Sequence, residues 1–368
     1  MSRDALFDLR NRLLSSARFR AFAQRIPVFQ WVARRRAQAL FRLCSGFIHS
    51  QVLLACVRLQ LFERLQGGAQ DVTSIATAAA VPKERLRALL RAADALQLLE
   101  ERPDGSYGLG VLGATMTDNQ SLLALVEHHA MLYEDLRDPV ALFANPTAET
   151  AMSRLWPYAG DGSAEPLAAA DVADYTNLMA ASQAMIAEQV MDAVSFRDRR
   201  RLLDIGGGAG AFAIAVAQRW PHLEITIADL PAVADIARKR IADAGMEDRI
   251  QVVGVDASRE PLPGGYDTVS LVRILHDHDE PMALSLLAAA KTALNDGGML
   301  LVAEPMADAP GAGELIAAYF NVYLLAMGSG RPRRFDELSK LLEKGGFGHI
   351  RRRRTAVPLI TGVVVARG

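Results

Sequence analysis

Two short constellations in this chain have the residue types for chemistry. The first is Ile274-Leu275-His276-Asp277-His278-Asp279, an imidazole set among carboxylates. Histidine titrates near neutral pH, so one whose ring N–H is held by a carboxylate is a candidate general base. His276 directly follows the apolar, β-rich run YDTVSLVRIL, and Glu304 closes the next such run in VAEP, so Asp277 or Glu304 can orient the imidazole. The second constellation is Asp204-Ile205-Gly206-Gly207-Gly208-Ala209-Gly210-Ala211. Gly206, Gly208 and Gly210 let a strand-to-helix turn close tightly and let a ligand approach the backbone. Taken alone, the run satisfies the GxGxxA pattern of nicotinamide dinucleotide sites.

Three acids favour a different ligand. Asp204 lies two residues before the first glycine, where its carboxylate can receive an ammonium group or bind it through water. Asp229 ends a strand in IADLP and can take two ribose hydroxyls, and Asp256 in VVGVDAS can accept from an adenine amine. Leu230 and Ala257 follow Asp229 and Asp256 directly, Arg273 precedes the ILHDHD run, and all three are further candidates for cofactor contact. Three carboxylates at successive strand ends suit a ligand with a cationic centre and no pyrophosphate, namely S-adenosylmethionine. A dinucleotide would need a pyrophosphate contact and leaves Asp256 without a role. The HDHD run also has the donors of a Mg or Zn site. However, no further histidine or cysteine cluster completes one, and His128 and His129 would diverge on a helix, so no metal is expected.

The residues between these motifs show which elements must position them. RLLDIGGG, LEITIADL, RIQVVGVDA, YDTVSLVRIL, MLLVAEPM and TGVVVARG are short β-rich runs, with helical stretches between the first five. That rhythm predicts a doubly wound, Rossmann-like α/β sheet over 201–368, closed by an antiparallel hairpin after IRRRR. Residues 118–200 read as a helical linker and pocket roof. Residues 45–117 read as a winged helix: a helix in SQVLLACVRL, a second that Thr73 can cap, a third near Pro82, then a hairpin around the DG of RPDGSYGL. The helix near Pro82 offers only Lys83, Arg85, Arg87 and Arg91, offset by acids, and no aromatic-basic cluster, so dimerisation rather than nucleic-acid binding is expected of this module. Residues 1–44 form a basic amphipathic arm: ten arginines against Asp4 and Asp8 over Met1–Leu43, interleaved with Leu13, Phe19, Phe22, Phe29 and Trp31. Such a segment can lie on an anionic membrane or pack on a partner subunit.

Composition sets the outer limits. The 368 residues are 51% hydrophobic and 23% charged with a net charge of -1, which excludes wholesale disorder and binding of nucleic acid by bulk charge. Cys44 and Cys56 make neither a disulfide framework nor a zinc-thiolate site and fit a reducing cytoplasm. No uninterrupted apolar stretch approaches the roughly 20 residues of a membrane span, and the N-terminus does not read as a signal peptide.

In this order, LLDIGGGAG, ADLP, GVDAS, ILHDHDE and LLVAEPM resemble the class I S-adenosylmethionine-dependent small-molecule O-methyltransferases of the plant caffeate and bacterial polyketide type, over nearly the whole chain. ARRRAQALFRLCSGFIHSQVLLACVRLQLFERL and TAVPLITGVVVA are similar to the hydroxycarotenoid O-methyltransferases of purple photosynthetic bacteria. The resemblance implies a homodimer joined through the N-terminal domain, S-adenosylmethionine as cofactor and S-adenosylhomocysteine as product. It makes His276 the general base and Glu304 its positioner. Tyr175, Met179 and Ser182 match a helix lining the cofactor and acceptor, and Tyr175 and Met179 are one helical turn apart. One departure stands out: where the family often has GKERT, this chain has Gly330-Arg331-Pro332-Arg333-Arg334, with proline in the acid's place.

The implied acceptor is a 1-hydroxycarotenoid, made in carotenoid biosynthesis of a photosynthetic cell. The enzyme would be cytoplasmic, peripheral to the inner or intracytoplasmic membrane through its arm. A phenolic polyketide or a bacteriochlorophyll-type pigment would use the same cofactor residues. A winged-helix regulator with an α/β sensor is the rival of another class, and it leaves the HD pair at the sheet edge unexplained. A tertiary alcohol is about as weak an acid as water, roughly 15.7, some 9 units above an ordinary histidine, or about 12 kcal/mol at ~1.36 per unit. Proton removal is therefore expected to accompany or follow methyl transfer.

Overall fold

The computed structural model describes residues 3–23, 25–145, 149–155 and 183–368. The chain forms two compact units, Met1–Asp118 and Asn119–Gly368.

In the first unit, α1 (Arg3–Ser15) and α2 (Ala17–Ala23) precede the long α3 (Pro27–Arg58), which opens on a proline suited to a helix's first turn. α3 runs through residues 44 and 45 without a break. It is followed by α4 (Leu61–Leu65), α5 (Val72–Ala79) and α6 (Lys83–Ala95), then the hairpin of β1 (Leu99–Glu101) and β2 (Tyr107–Leu109). Asp71, not Thr73, caps α5: its carboxylate accepts the N–H groups of Thr73 at 2.9 Å and Ser74 at 3.1 Å. A carboxylate satisfies these donors and the positive helix end together, which a hydroxyl does less well. Phe62, Leu65, Ile75, Leu86, Leu90 and Tyr107 bury fully and hold this unit together.

α3 revises one expectation. Within Phe29–Arg58 an 18-residue window averages a mean hydropathy of 1.5, long and apolar enough for a span by length and composition, and only 11% of it is buried. Arg42, Ser45 and His49 interrupt the run in sequence, so the apolar character emerges only when averaged along the helix. Leu40, Phe41, Leu43 and Phe47 are each more than 60% exposed.

The second unit begins with α7 (Gln120–Asp135), α8 (Pro139–Ala144), α9 (Ala151–Leu155) and α10 (183–193). The strands β3 (Arg201–Ile205), β4 (Glu224–Asp229), β5 (Ile250–Gly254), β6 (Tyr266–Val272), β7 (Leu294–Glu304), β8 (Gly348–Arg353) and β9 (Gly362–Arg367) make one sheet. Its order is β5-β4-β3-β6-β7-β9-β8; the first five are parallel, β9 runs antiparallel to β7, and β8 antiparallel to β9. Between the strands lie α11 (Ala211–Arg219), α12 (Pro231–Asp243), α13 (Glu280–Ala293), α14 (Gly313–Met327) and α15 (Phe335–Lys344).

Alternation along each strand sends side chains to opposite faces, and both faces are covered. Leu202, Ile225 and Ile227 pack with Val190, Phe212 and Val216 on one side. Leu203, Val269 and Leu300 pack with Leu287, Ala290 and Leu342 on the other. The chain reverses its direction of progression between β3 and β6, so a crevice opens at their carboxyl ends, where ligands bind in open α/β sheets.

Candidate active site

The turns after β3 and β6 meet at that switch point, and they carry the two constellations singled out from sequence. Gly206, Gly208 and Gly210 all adopt left-handed φ, at 69°, 58° and 77°, conformations that cost little only for glycine. A Cβ on Gly207 would sit 2.6 Å from Asp204 Oδ2, whereas one on Gly208 would meet nothing within 4 Å. The turn is thus packed tight beneath and open above.

Asp204 is 1% exposed. Its Oδ1 accepts the Ser270 hydroxyl at 2.6 Å, and its Oδ2 has no partner. Burial, with the neighbouring Asp229 adding to it, pushes its pKa up to about 7 against the pull of the Ser270 bond. An ammonium group is the natural complement of a buried carboxylate with one oxygen unused. Asp229 is half-buried and accepts the N–H of Gly208 and of Leu230, each at 2.8 Å, which ties the glycine turn to the end of β4. Burial raises its pKa to about 6 although both N–H bonds oppose the rise.

Asp256 lies two residues beyond the end of β5 rather than on it. Its Oδ1 accepts the N–H and hydroxyl of Ser258, at 3.0 and 2.6 Å, and Arg259 Nε stands 3.6 Å from Oδ2. Ala257, half-buried, packs against the sheet core. Arg273 takes a left-handed φ of 60°, donates its N–H to Ala303 O at 2.8 Å, and acts electrostatically on His128, Tyr319 and Tyr323. Tyr175, Met179 and Ser182 lie outside the described residues.

His276 sits 3% exposed in a single 3-10 turn, Leu275–Asp277. Glu304, 4% exposed at the tip of β7, holds this turn. Its carboxylate accepts the backbone N–H of Ile274 at 3.2 Å, of Leu275 at 2.8 Å and of His276 at 3.2 Å, and it also bonds His276 Nδ1. The other ring nitrogen, Nε2, stands 3.0 Å from Asp277 Oδ1. Burial by itself would lower the histidine's pKa, but the charges of Asp277 and Glu304 outweigh it and raise the value to about 9. Proline at 332 therefore does not leave the imidazole with one acid: Asp277 supplies the second carboxylate, on the opposite nitrogen.

The turn's carbonyls are held from the other side. Arg331 N–H donates to His276 O at 2.8 Å, and Arg333, 8% exposed, donates to Leu275 O and, at 2.8 Å, to His278 O. Gly330 has a φ of +79°, and a Cβ there would overlap His276 O. Sequence reading missed this clamp because the stretch was measured only against the acid it lacks.

A second cluster was also missed. His128 Nε2 bonds Tyr323 Oη at 2.8 Å, and His129 Nε2 bonds Tyr319 Oη at 2.7 Å. Although adjacent on α7, the two histidines reach one cluster: Tyr319 and Tyr323 are one turn apart on α14, stack with centroids 5.5 Å apart, and receive one histidine each. Phe320, between them in sequence, packs edge-on to the His276 ring with centroids 6.0 Å apart. Burial pushes His128 down to about 4 and lowers His129, so both stay neutral near pH 7. The only signal in sequence was the i, i+4 spacing of the two tyrosines.

Comparison with known proteins places these features in a family. Residues 147–348 match an O-methyltransferase domain, and residues 41–119 match an O-methyltransferase dimerisation domain. The chain is 38% identical over 357 residues to a demethylspheroidene O-methyltransferase of Cereibacter sphaeroides, covering 96% of this chain and 93% of that one. It is 36% identical over 358 residues to the protein of the same name from Rhodobacter capsulatus, covering 96% and 88%. The solved structure of SibL, an S-adenosylmethionine-dependent methyltransferase in its apo form, superposes with a TM-score of 0.75 at 26% identity, covering 89% of this chain and 98% of that one.

Proposed function

We propose, from the premise that this chain belongs to the S-adenosylmethionine-dependent O-methyltransferases that carry a dimerisation domain, that its acceptor is the hydroxyl of a 1-hydroxycarotenoid of the demethylspheroidene type. The observation that carries the acceptor is the likeness to two demethylspheroidene enzymes over 96% of the chain.

The residues present fit the cofactor. S-adenosylmethionine supplies an electrophilic methyl group on a sulfonium. Asp204 Oδ2, buried and unpartnered, would receive the ammonium group; the turn, open at Gly208, would admit the ligand against the backbone; Asp229 would hold the ribose hydroxyls and Asp256 would meet the adenine.

His276 takes the acceptor's proton, and Glu304 fixes its orientation. Both ring nitrogens face carboxylates in the resting enzyme, so the imidazole rests protonated at neutral pH. An acceptor hydroxyl that displaces Asp277 from Nε2 removes one of the two charges that raise the histidine's pKa. With its pKa lowered in this way, the imidazolium releases its Nε2 proton to solvent and becomes a base as the acceptor is seated. Against an alcohol near ~15.7, even the resting histidine at about 9 leaves a gap of ~7 units, or about 9 kcal/mol at ~1.36 per unit, and loss of the Asp277 charge widens it. The proton therefore leaves with or after the methyl transfer, and proximity contributes most of the rate.

The chain acts as a homodimer through residues 41–119, with the exposed Leu43 and Phe47 of α3 in the contact. The basic arm holds the enzyme at the surface of the membrane that contains its acceptor. The test is methyl transfer from labelled S-adenosylmethionine to a 1-hydroxycarotenoid in detergent micelles, beside a phenolic acceptor. Label appearing only in the phenol would replace the carotenoid reading with the polyketide one.

A further inference from the structure

The edge strand β8 carries arginines whose two faces are treated differently. On one face Arg352 pairs with Asp308 at 3.3 Å. On the other, Arg351 and Arg353 meet no carboxylate among the described residues and line a groove of about 250 Å³ together with His349, Arg199 and Arg367. Three separate segments supply these charges: the loop before β3, strand β8 and strand β9. Met299 and Val365 line the same groove and add apolar surface.

The groove's cations are not satisfied from within. Arg199 donates to Asp267 O at 3.4 Å and contacts Met299 Sδ, while the Asp267 carboxylate is taken up by the N–H groups of Arg200 at 2.7 Å and Arg201 at 3.3 Å. Arg367 donates to Gly297 O at 3.2 Å. Charge on an edge strand also discourages pairing with other chains, but that purpose is served by either sign on either face. It does not call for four arginines from three segments around one hollow, where like charges repel.

We propose that this groove binds the phosphate of an anionic phospholipid headgroup and so docks the second unit on the membrane. Guanidinium groups match phosphate geometry with paired N–H donors. A volume below the roughly 300 Å³ of the smallest drug-sized pockets suits a headgroup rather than an acyl chain. The choice of a lipid over a free phosphorylated solute rests on the lipophilic acceptor proposed above.

The experiment measures binding of the full-length protein to vesicles of phosphatidylcholine alone and of equimolar phosphatidylcholine and phosphatidylglycerol, without acceptor. Its result therefore does not depend on which molecule is methylated. Every variant keeps the N-terminal arm, so differences report the groove. Arg351→Gln with Arg353→Gln should weaken binding to the anionic vesicles about 25-fold, from about fivefold per arginine at a charged surface. Arg352→Gln changes net charge by one without touching the groove and should leave binding within about twofold. S-adenosylhomocysteine binding, unchanged in all three, reports intact folding. Equal vesicle binding by the double variant and the parent overturns the proposal, as does an equal loss in Arg352→Gln. Calorimetric binding of inorganic phosphate that the double variant abolishes, with vesicle binding unaltered, overturns the lipid assignment in favour of a soluble anion.

Discussion

His276 sits between two carboxylates, and its charge state therefore dominates the behaviour expected of single residues. Because its pKa is raised to about 9, the neutral, proton-accepting form grows as pH rises toward that value. The enzyme's kcat/KM should climb through neutral pH, reach half its maximum near pH 9 and level off only above it, measured by methyl incorporation at each pH. A profile already flat from pH 7 would mean that the resting imidazole is neutral. The same shift stabilises the fold: its contribution is full below the ordinary histidine value and is lost as pH rises through 9. His276→Ala should cost about 10²-fold in kcat, the low end for general base catalysis, because base strength contributes little against a tertiary alcohol. A loss near 10⁴-fold would point to a more acidic, phenolic hydroxyl.

Asp204 gives a second test at this scale, with the opposite sign. Its pKa of about 7 means that the folded protein gives up the proton much later than the unfolded chain does. Above pH 7 the buried charge destabilises the ligand-free fold by up to ~4 kcal/mol, an effect that disappears as pH falls to the ordinary carboxylate range. Asp204→Asn should therefore raise the melting temperature at pH 8. It should also weaken S-adenosylhomocysteine about 10- to 100-fold, the value of a lost charge-assisted bond. Calorimetry of the variant checks both.

Among the elements, the turn at Leu275–Asp277 depends most on its neighbours. It closes two bonds of its own, Asp277 N–H to Ile274 O at 3.2 Å and His278 N–H to Leu275 O at 3.3 Å; the N–H groups of Leu275 and His276 go to Glu304, and the carbonyls of these two residues accept from the 330–333 segment. Arg333→Met takes the charged donor from the carbonyls of Leu275 and His278, leaving Leu275 O only the His278 N–H at 3.3 Å, at about 3 kcal/mol in all, within the value of two hydrogen bonds to a charged group. We expect a melting temperature lower by about 10 °C in a unit of this size and a fall in kcat, with S-adenosylhomocysteine affinity retained because the glycine turn is untouched. The strands, the HD turn and the tip of β7 were legible because alternating apolar runs and terminal acids lie next to each other in the chain. The clamp was not, since Gly330–Arg333 reaches His276 from more than fifty residues away. Nor were the His128–Tyr323 and His129–Tyr319 pairs, whose partners stand 195 and 190 residues apart.

At the scale of the whole molecule, the long α3 leaves Leu43 80% and Phe47 68% exposed, which a second copy would cover. Leu43→Glu with Phe47→Glu should convert the dimer to a monomer in analytical ultracentrifugation at micromolar concentration, since a charge at the centre of an apolar contact is left unpaired. A dimer that persists would move the interface elsewhere in residues 41–119.

Sequence alone carried the α/β architecture, the glycine turn and the nearness of His276 to Glu304. These follow from local periodicity and from residue types that only particular turns tolerate. How the imidazole is charged, which second acid stands beside it with proline at 332 and what holds the His276 turn became visible only in three dimensions. Desolvation and hydrogen bonding depend on which distant side chains arrive at a point in space, and one-dimensional order does not record that.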